Sequence, residues 1–399
     1  MQLKDKKILL VSLFVNPYEE SSVRLNKLQN ILAENSIEFD LVTTSFNHSK
    51  KKEFNIVTRE ESIIHLDVPK YKTNISIKRF YSHTVFAFKL LKFLIKNGKN
   101  YDLFYSTVPT SLSALVCVVY SKINKKKTMV DVIDLWPESF SVLLPFNKFT
   151  KYFFTPWYLT SFIVYRFADK LFAESKKYAK YVQNFSKEKV EYVNLGVDME
   201  LIAKNISEGN SLIKKKDDLV YICYGGSLGN SYDFDVIVET LKLLKKNNYS
   251  KFYFVFIGDG DKKEYLEKQI IKFNLPATIT GRLSYCDFIK TLSECDIGIN
   301  SFLQDTKVVY SYKFNDYVSV GLAVLNNLKG ETSDLVNTYN LGFNFNYEED
   351  QLLDKLKYLL ENRELIKEMK QNSINFAKDS LDYKQEYKKY INFIKEANA

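Results

Sequence analysis

The chain has 399 residues, 46% of them hydrophobic, with 30 Phe, 28 Tyr and 2 Trp. That is enough to bury the cores of two ordinary domains, and it excludes disordered, collagen-like and disulfide-stapled classes. Lys and Arg number 57 against 48 Asp and Glu, and this +9 excess suits an anionic partner or a solvated lysine surface; no zinc-finger spacing, RNP-like string or arginine cluster supports nucleic acid.

In chain order, Met1–Val15 imitates a signal peptide, yet no small-residue cleavage site follows before Asn16 and Pro17, so a buried first strand at Ile8–Val11 is expected. Short apolar runs predict further strands at Phe39–Val42, Leu103–Ser106, Met129–Ile133, Leu171–Ala173 and Val190–Val193. The uncharged stretch Leu103–Ser121 has nearly the length of a membrane span, but Pro109 among Ser106, Thr107, Thr110, Ser111 and Ser113 divides it into strand, loop and helix. Lys204–Asp218 is polar and lysine-rich and reads as a linker. Beyond it the pattern restarts, with strands expected at Leu219–Tyr224, Phe252–Ile257, Thr278–Ile279, Ile297–Asn300, Ala323–Asn326 and Gly342–Phe345. From Glu349 onward the spacing is helical, with Leu352, Leu353, Leu356, Leu359 and Leu360 on one stripe.

Strands alternating with helices imply an α/β chain of two doubly wound, Rossmann-like parallel sheets, with ligands bound beyond the carboxyl ends of the strands in a cleft between the two halves. Cys117, Cys223, Cys286 and Cys295 lack paired short spacing, so neither a zinc site nor a disulfide framework is indicated and a reducing cytoplasm fits best.

The second half holds the more informative strings. Gly225-Gly226-Ser227-Leu228-Gly229 follows a strand and precedes the helix from Phe234; it reads equally as a tight turn or as a loop that brings amides to a phosphate at a helix N-terminus. Ile257-Gly258-Asp259-Gly260 repeats the arrangement, and Gly281-Arg282-Leu283-Ser284 follows, with Ser284 placed to cap the helix Tyr285–Glu294. Then comes Tyr310-Ser311-Tyr312-Lys313-Phe314-Asn315-Asp316-Tyr317, leading to Gly321-Leu322-Ala323-Val324. This succession resembles the nucleotide-binding half of GT-B glycosyltransferases, in particular the family 4-like group with its Ser-Lys-x-x-Glu-Tyr string before Gly-x-Pro-Val. The first half carries the same resemblance: Asp134-Leu135-Trp136-Pro137-Glu138-Ser139 is similar to a string in members that build bacterial surface and capsular polysaccharides, and Ala168-Asp169 through Ser175 and Val193-Asn194-Leu195-Gly196-Val197-Asp198 follow the family's pattern.

The resemblance implies residues 1–205 as an acceptor-binding domain, 206–379 as a nucleotide-sugar donor domain, and 380–399 as a helix crossing back to the first. It implies transfer of a hexose from a nucleotide-diphosphate sugar, UDP-sugar favoured, to a lipid-linked oligosaccharide, with retention and with neither cofactor nor metal. Donor contacts are implied for Gly225, Gly226, Ser227, Arg282, Leu283, Tyr310, Ser311, Tyr312, Lys313 and Asp316, with Asp316 on the ribose hydroxyls and Lys313 on the phosphates. Asp134, Glu138 and Lys313 are the catalytic candidates. The alternatives are structural: Asp316 as a first-turn helix acid, Asp134 and Trp136 as cap and packing.

The chain also departs from the pattern. Val308 stands where the first Glu of the Glu-seven-Glu motif is expected, with Asp305 nearby, and the basic pair offered to the diphosphate is replaced at about Ser227 and Tyr232. No histidine follows the strand at Met129–Ile133; the three are His48, His65 and His83. These losses favour, as the competing reading, an inactive binding subunit of a polysaccharide assembly complex. Lys89, Lys92 and Lys96 beside Phe86, Phe93 and Leu94, and Lys148 and Lys151 among the aromatics of Phe146–Phe167, suit the headgroups of an anionic membrane or, equally, the solvated faces of core-packed helices. A soluble protein at the inner face of the plasma membrane is expected.

Overall fold

The computed structural model describes residues 6–15, 17, 24–48, 51–53, 62–73, 76–136, 148–306, 308, 310–347 and 351–397, with backbone alone for 148–151 and 153. The chain divides into two compact units, Met1–Leu195 with Glu386–Ala399, and Gly196–Gln385.

The first unit contains β1 (Lys7–Val11), β2 (Glu38–Thr43), β3 (Phe46–Asn47), β4 (Lys52–Glu53), β5 (Ile63–His65), β6 (Leu103–Val108), β7 (Lys127–Val132), β8 (Lys170–Ala173) and β9 (Val190–Tyr192). All except the small antiparallel pair β3–β4 join one parallel sheet in the order β5-β2-β1-β6-β7-β8-β9. The second unit holds β10 (Val220–Gly225), β11 (Phe252–Ile257), β12 (Ala277–Ile279), β13 (Ile297–Asn300), β14 (Ala323–Asn326) and β15 (Gly342–Asn344), in the order β12-β11-β10-β13-β14-β15. In each sheet the winding direction reverses beside the first strand, at β1/β6 and at β10/β13. In open α/β sheets such reversals are where ligands bind, beyond the carboxyl ends of the strands.

Alternation explains why these runs are strands buried on both faces. Val220, Ile222 and Tyr224 of β10 join one core with Phe252, Phe254 and Phe256 of β11. Their neighbours Tyr221, Cys223, Val255 and Ile257 turn the other way, into a core with Phe314, Tyr317 and Val318. The first unit is similarly two-sided: Leu9 and Val11 pack with Phe86, Leu90 and Leu94 of the helix Ile77–Asn97, while Val130 and Val132 lie in a separate cluster with Val164.

Three expectations need correction. Lys204–Asp218 is not a simple linker, because the helix Met199–Glu208 runs into it, capped by Asp198, whose side chain accepts from the Leu201 amide. Ile202 packs in the second unit's core, so the change of unit falls at Leu195/Gly196 and not at 205/206. At the far end the change falls at Gln385/Glu386, inside the expected terminal helix, which is two helices, Tyr383–Glu386 and Lys388–Glu396. The strands β3, β4 and β5 had no counterpart in the sequence reading.

The terminal helix docks on the first sheet through a buried polar cluster. Asp131 of β7 accepts at Oδ2 from Arg24 Nε at 2.5 Å, from the Tyr390 hydroxyl at 2.6 Å and from the Tyr105 hydroxyl at 2.8 Å. Arg24 also donates to the Val193 carbonyl at 2.6 Å. Glu174, just past β8, is buried beside them; desolvation, opposed by Arg24 and reinforced by Asp131 and Asp134, pushes its carboxyl up to about 7.

Candidate functional site

At the carboxyl end of β10 the backbone turns through Gly226 at φ +124°, a conformation side chains disfavour. Gly258 lies so close that a Cβ there would stand 1.8 Å from the Gly226 carbonyl oxygen, so two glycine turns nest backbone to backbone. The nesting engages the amides expected to face a phosphate. Gly225 N–H donates to the Tyr317 hydroxyl and Gly226 N–H to the Ile257 carbonyl, both at 2.8 Å. Ser311 N–H donates to Thr332 Oγ1 at 3.3 Å and its hydroxyl to Asn300 Oδ1 at 2.7 Å. The expected phosphate contacts from the amides around Gly226 and Ser311 are thereby corrected: β10 runs one residue further than its apolar run, and these donors are taken by Tyr317, Ile257 and Thr332.

Beside the turns opens a cavity of about 710 Å³, lined by Gly226, Ser227, Gly258, Arg282, Leu283 and Tyr285, among others. Arg282 is exposed and makes no hydrogen bond or ion pair among the described residues. Tyr285 and Phe288 stack along one wall, with ring centroids 6.3 Å apart and planes at 23°. Both belong to the helix Tyr285–Ser293, which Ser284 caps by accepting from the Asp287 amide at 3.1 Å.

The helix Tyr312–Ser319 supplies the charges. Asp316 stands beyond its first turn, which removes the dipole explanation, and its Oδ1 accepts from the Tyr285 hydroxyl at 3.2 Å. Burial, reinforced by Asp316, raises the Tyr285 phenol above its usual range. The Lys313 chain runs along Gly226, where an added Cβ would meet its Cε at 2.9 Å, and its ammonium stands over the Tyr232 ring, 3.6 Å from the centroid. Burial, opposed by Asp316, brings this lysine down to about 7. Tyr310 and Tyr312 are less central: the Tyr310 hydroxyl donates to Asn315 Oδ1 at 2.5 Å, and the Tyr312 side chain is exposed.

One constellation escaped the sequence reading although its signal was there. Asn300, Asn326 and Asn344, at the carboxyl ends of β13, β14 and β15, are register partners and form an amide ladder, Asn300 Nδ2 to Asn326 Oδ1 and Asn326 Nδ2 to Asn344 Oδ1, each 2.7 Å. The ladder ends at Ser311, and so fixes where the Lys313 helix begins.

In the first unit, Asp134 follows β7; its Oδ1 accepts from the Leu135 amide at 2.8 Å and from the Tyr178 hydroxyl at 3.4 Å. Glu138 lies outside the described residues. Trp136 is buried, with the Arg79 guanidinium 4.7 Å from its ring and His83 stacked at 5.6 Å. The histidine that the β7 loop lacks is thus brought to it by the helix Ile77–Asn97. Desolvation, with Arg79 and His48 adding to it, lowers His83 to about 3, so it is neutral here. His48 is lowered to about 4 by burial and then by Arg79 and Lys51.

Residues 210–376 match the family described as glycosyl transferases group 1. The match lies within the second unit, and the fold of the chain is of the GT-B type. It is 21% identical to an uncharacterized glycosyltransferase of Methanocaldococcus jannaschii over 88% of each chain. Among solved structures, HepE of Anabaena in complex with UDP superposes with TM-score 0.65 and 14% identity, covering 98% of this chain and 100% of that one. Sucrose-phosphate synthase of Thermosynechococcus elongatus gives 0.67 at 12% identity and 98% of each chain. A glycosyltransferase of Rickettsia africae gives 0.68 at 16%, again covering 98% of each.

The departures from the family's pattern are local. Val308 is 41% exposed, and Asp305 is exposed in the same loop. On the helix Ile77–Asn97, Phe86 and Leu94 are buried in the core, which corrects their expected place beside the lysines. The exposed large apolar residues are instead Ile77, Tyr81, Phe88, Leu91 and Ile95, with the Lys92 ammonium 4.6 Å from the Phe88 ring. On the helix Lys148–Phe167 the exposed apolar residues include Tyr152, Leu159 and Phe162; the side chains of Lys148 and Lys151 lie outside the described residues. Among the described residues, no helix is long and apolar enough to cross a membrane.

Proposed function

We propose that the protein transfers a hexose from a nucleotide-diphosphate sugar, UDP-sugar favoured, to a hydroxyl of a lipid-linked oligosaccharide, retaining the anomeric configuration and using no metal, in the building of a surface polysaccharide. Gly196–Gln385 is the donor unit and Met1–Leu195 the acceptor unit. The observation that carries this reading is the cavity beyond the carboxyl ends of β10 and β11, with Arg282 uncommitted on its wall and Asp316 behind Tyr285. A diphosphate carries the charge that Arg282 and Lys313 answer, an aromatic wall of Tyr285 and Phe288 suits a planar base, and a carboxylate accepts from two ribose hydroxyls. HepE, crystallised with UDP and with UDP-glucose, lends the nucleotide its identity.

Retention asks for no protein base if the leaving phosphate takes the acceptor proton, and the neutral His83 beside Trp136 agrees with such a site. Stabilisation of the departing diphosphate is the larger need, and it falls to Arg282 and Lys313 as side chains aimed where charge develops. Asp134, and Glu138 beyond it, are assigned to the acceptor. Tyr81, Phe88, Leu91 and Ile95 with Lys89, Lys92 and Lys96 would rest on the anionic inner leaflet, where the lipid-linked acceptor lies.

Val308 favours a second reading, a nucleotide-binding subunit without turnover, since valine neither bonds a sugar hydroxyl nor steadies a cation. Release of nucleoside diphosphate from a panel of sugar nucleotides, with membrane extract as acceptor source, decides between them. Turnover that falls at least tenfold in Lys313→Ala, with smaller loss of binding, supports the transferase. Nucleotide binding with no donor consumed supports the binding subunit.

A further inference from the structure

Lys313 is a half-buried cation of the donor unit, and its immediate surroundings are aromatic. Its ammonium stands 3.6 Å from the Tyr232 centroid, 5.1 Å from that of Phe302 and 5.5 Å from that of Tyr224. No hydrogen bond or ion pair of the ammonium occurs among the described residues, and Asp316 on its own helix is the one carboxylate whose field bears on it. The titratable groups facing it from other elements are the phenols of Tyr224 and Tyr232, both held neutral by burial.

The walls are fixed from several sides. The Tyr224 hydroxyl donates to the Ser227 carbonyl at 2.8 Å. Phe302 is clamped by Asn327, which accepts from its amide at 2.8 Å and donates to its carbonyl at 2.9 Å. Leu303 N–H reaches the Ser231 carbonyl at 3.2 Å and the Ser301 hydroxyl the Asp233 carbonyl at 2.9 Å, tying the Phe302 loop to the Tyr232 loop. Aromatic faces around an ammonium are the arrangement by which proteins recognise cationic ligands, and here the cation is the protein's own.

We propose that Tyr232 is a positioning residue of the donor site: with Phe302 and Tyr224 it holds the Lys313 ammonium beside Gly226 in place of an anion, and yields it to the diphosphate of the incoming nucleotide sugar. The proposal rests on the donor reading given above. It also gives a physical role to a tyrosine at about the position where relatives present a basic residue. Attraction to a ring face is weaker than that of a countercharge, so the cage positions Lys313, which burial leaves part neutral, and does not satisfy it. An entering diphosphate supplies the full countercharge and, because burial has lowered the lysine toward neutrality, brings a proton onto it.

The test uses the full chain labelled with carbon-13 at lysine Cε, Lys313 being assigned through Lys313→Arg. Without nucleotide, the Lys313 signal is expected to titrate near neutrality in the wild type and in Tyr232→Phe, and at the ordinary lysine range in Tyr232→Ala, which admits water. Calorimetry with UDP-glucose at pH 8, in two buffers of different ionisation enthalpy, then reads the proton; UDP-glucose has no phosphate that titrates there. Uptake of about 0.9 proton per nucleotide, the unprotonated fraction at pH 8 of a group titrating near 7, is expected in the wild type and Tyr232→Phe, and none in Lys313→Arg. A wild-type Lys313 titrating at the ordinary lysine range, or UDP-glucose binding without proton uptake, overturns the cage and leaves the donor reading standing. No UDP-glucose binding at all overturns the donor reading, and this assignment with it.

Discussion

The Tyr285 hydroxyl donates to Asp316 Oδ1 across 3.2 Å, joining the helix that follows β12 to the helix that follows β13. A ribose bound by Asp316 would compete for or share that carboxylate. Asp316→Ala is therefore expected to weaken UDP binding by about 1.5–3 kcal/mol, the value of a charged hydrogen bond, while Tyr285→Phe changes it less and keeps the ring. Calorimetry on both variants checks this; equal affinity in Asp316→Ala and wild type removes Asp316 from the site.

Glu174 gives a pH dependence of stability with a definite sign. Its folded value, about 7, lies above the ordinary 4.5, so the folded chain holds the proton more tightly. Its contribution is fully present below pH 4.5 and is lost as pH rises through 7. Glu174→Gln, which cannot ionise, is expected to be more stable than wild type above pH 7 by about 1–3 kcal/mol and equal to it near pH 4.5. Urea melts at the two pH values measure the difference, and a constant offset would contradict it.

Tyr390→Phe removes one donor to Asp131 and one acceptor of Arg24 inside the first unit. A loss of about 1.5–3 kcal/mol is expected, since the groups left behind are charged and buried. Arg24→Met is expected to cost more, about 3–5 kcal/mol, because Asp131 then loses its countercharge. Chemical denaturation followed by tryptophan fluorescence reads both, as the chain's two tryptophans, Trp136 and Trp157, lie in the first unit.

The outward face of the helix Ile77–Asn97 makes a membrane prediction. Sedimentation with anionic vesicles is expected to fall in Phe88→Ser/Ile95→Ser, and to fall with salt in the wild type as the roughly 1 kcal/mol from each of Lys89, Lys92 and Lys96 is screened. Equal binding to neutral vesicles would leave the apolar part alone standing.

The strands were legible where apolar residues ran unbroken, as in Phe252–Ile257, because both faces of a parallel strand are buried and every residue carries the signal. β5, three residues long, and the two-residue strands β3 and β4 offer no such run. Lys204–Glu208 read as linker because its residues are mostly polar: Lys204, Ser207 and Glu208 face outward, and Asn205 is buried on the same side as Ile202. Of the site, the residue types were visible but their partners were not. Nothing in sequence spacing joins His83 to Trp136, or Tyr232 and Phe302 to Lys313, since in each pair a helix residue meets a residue of a separate loop only in the folded unit. The engagement of the Gly225 and Gly226 amides depended on where β10 stops, a matter of one residue.

The polypeptide leaves the first unit at Leu195 and re-enters it at Glu386. On the ribosome, Gly196–Gln385 is a continuous stretch and can complete its sheet as it emerges. The first unit must wait, because Asp131 and Arg24, made early, stay short of a partner until Tyr390 is synthesised. Maturation is thus out of order with synthesis: the unit begun first is finished last, and a ribosome stalled within the final helix would release a chain whose second unit is folded and whose first unit is open at its core.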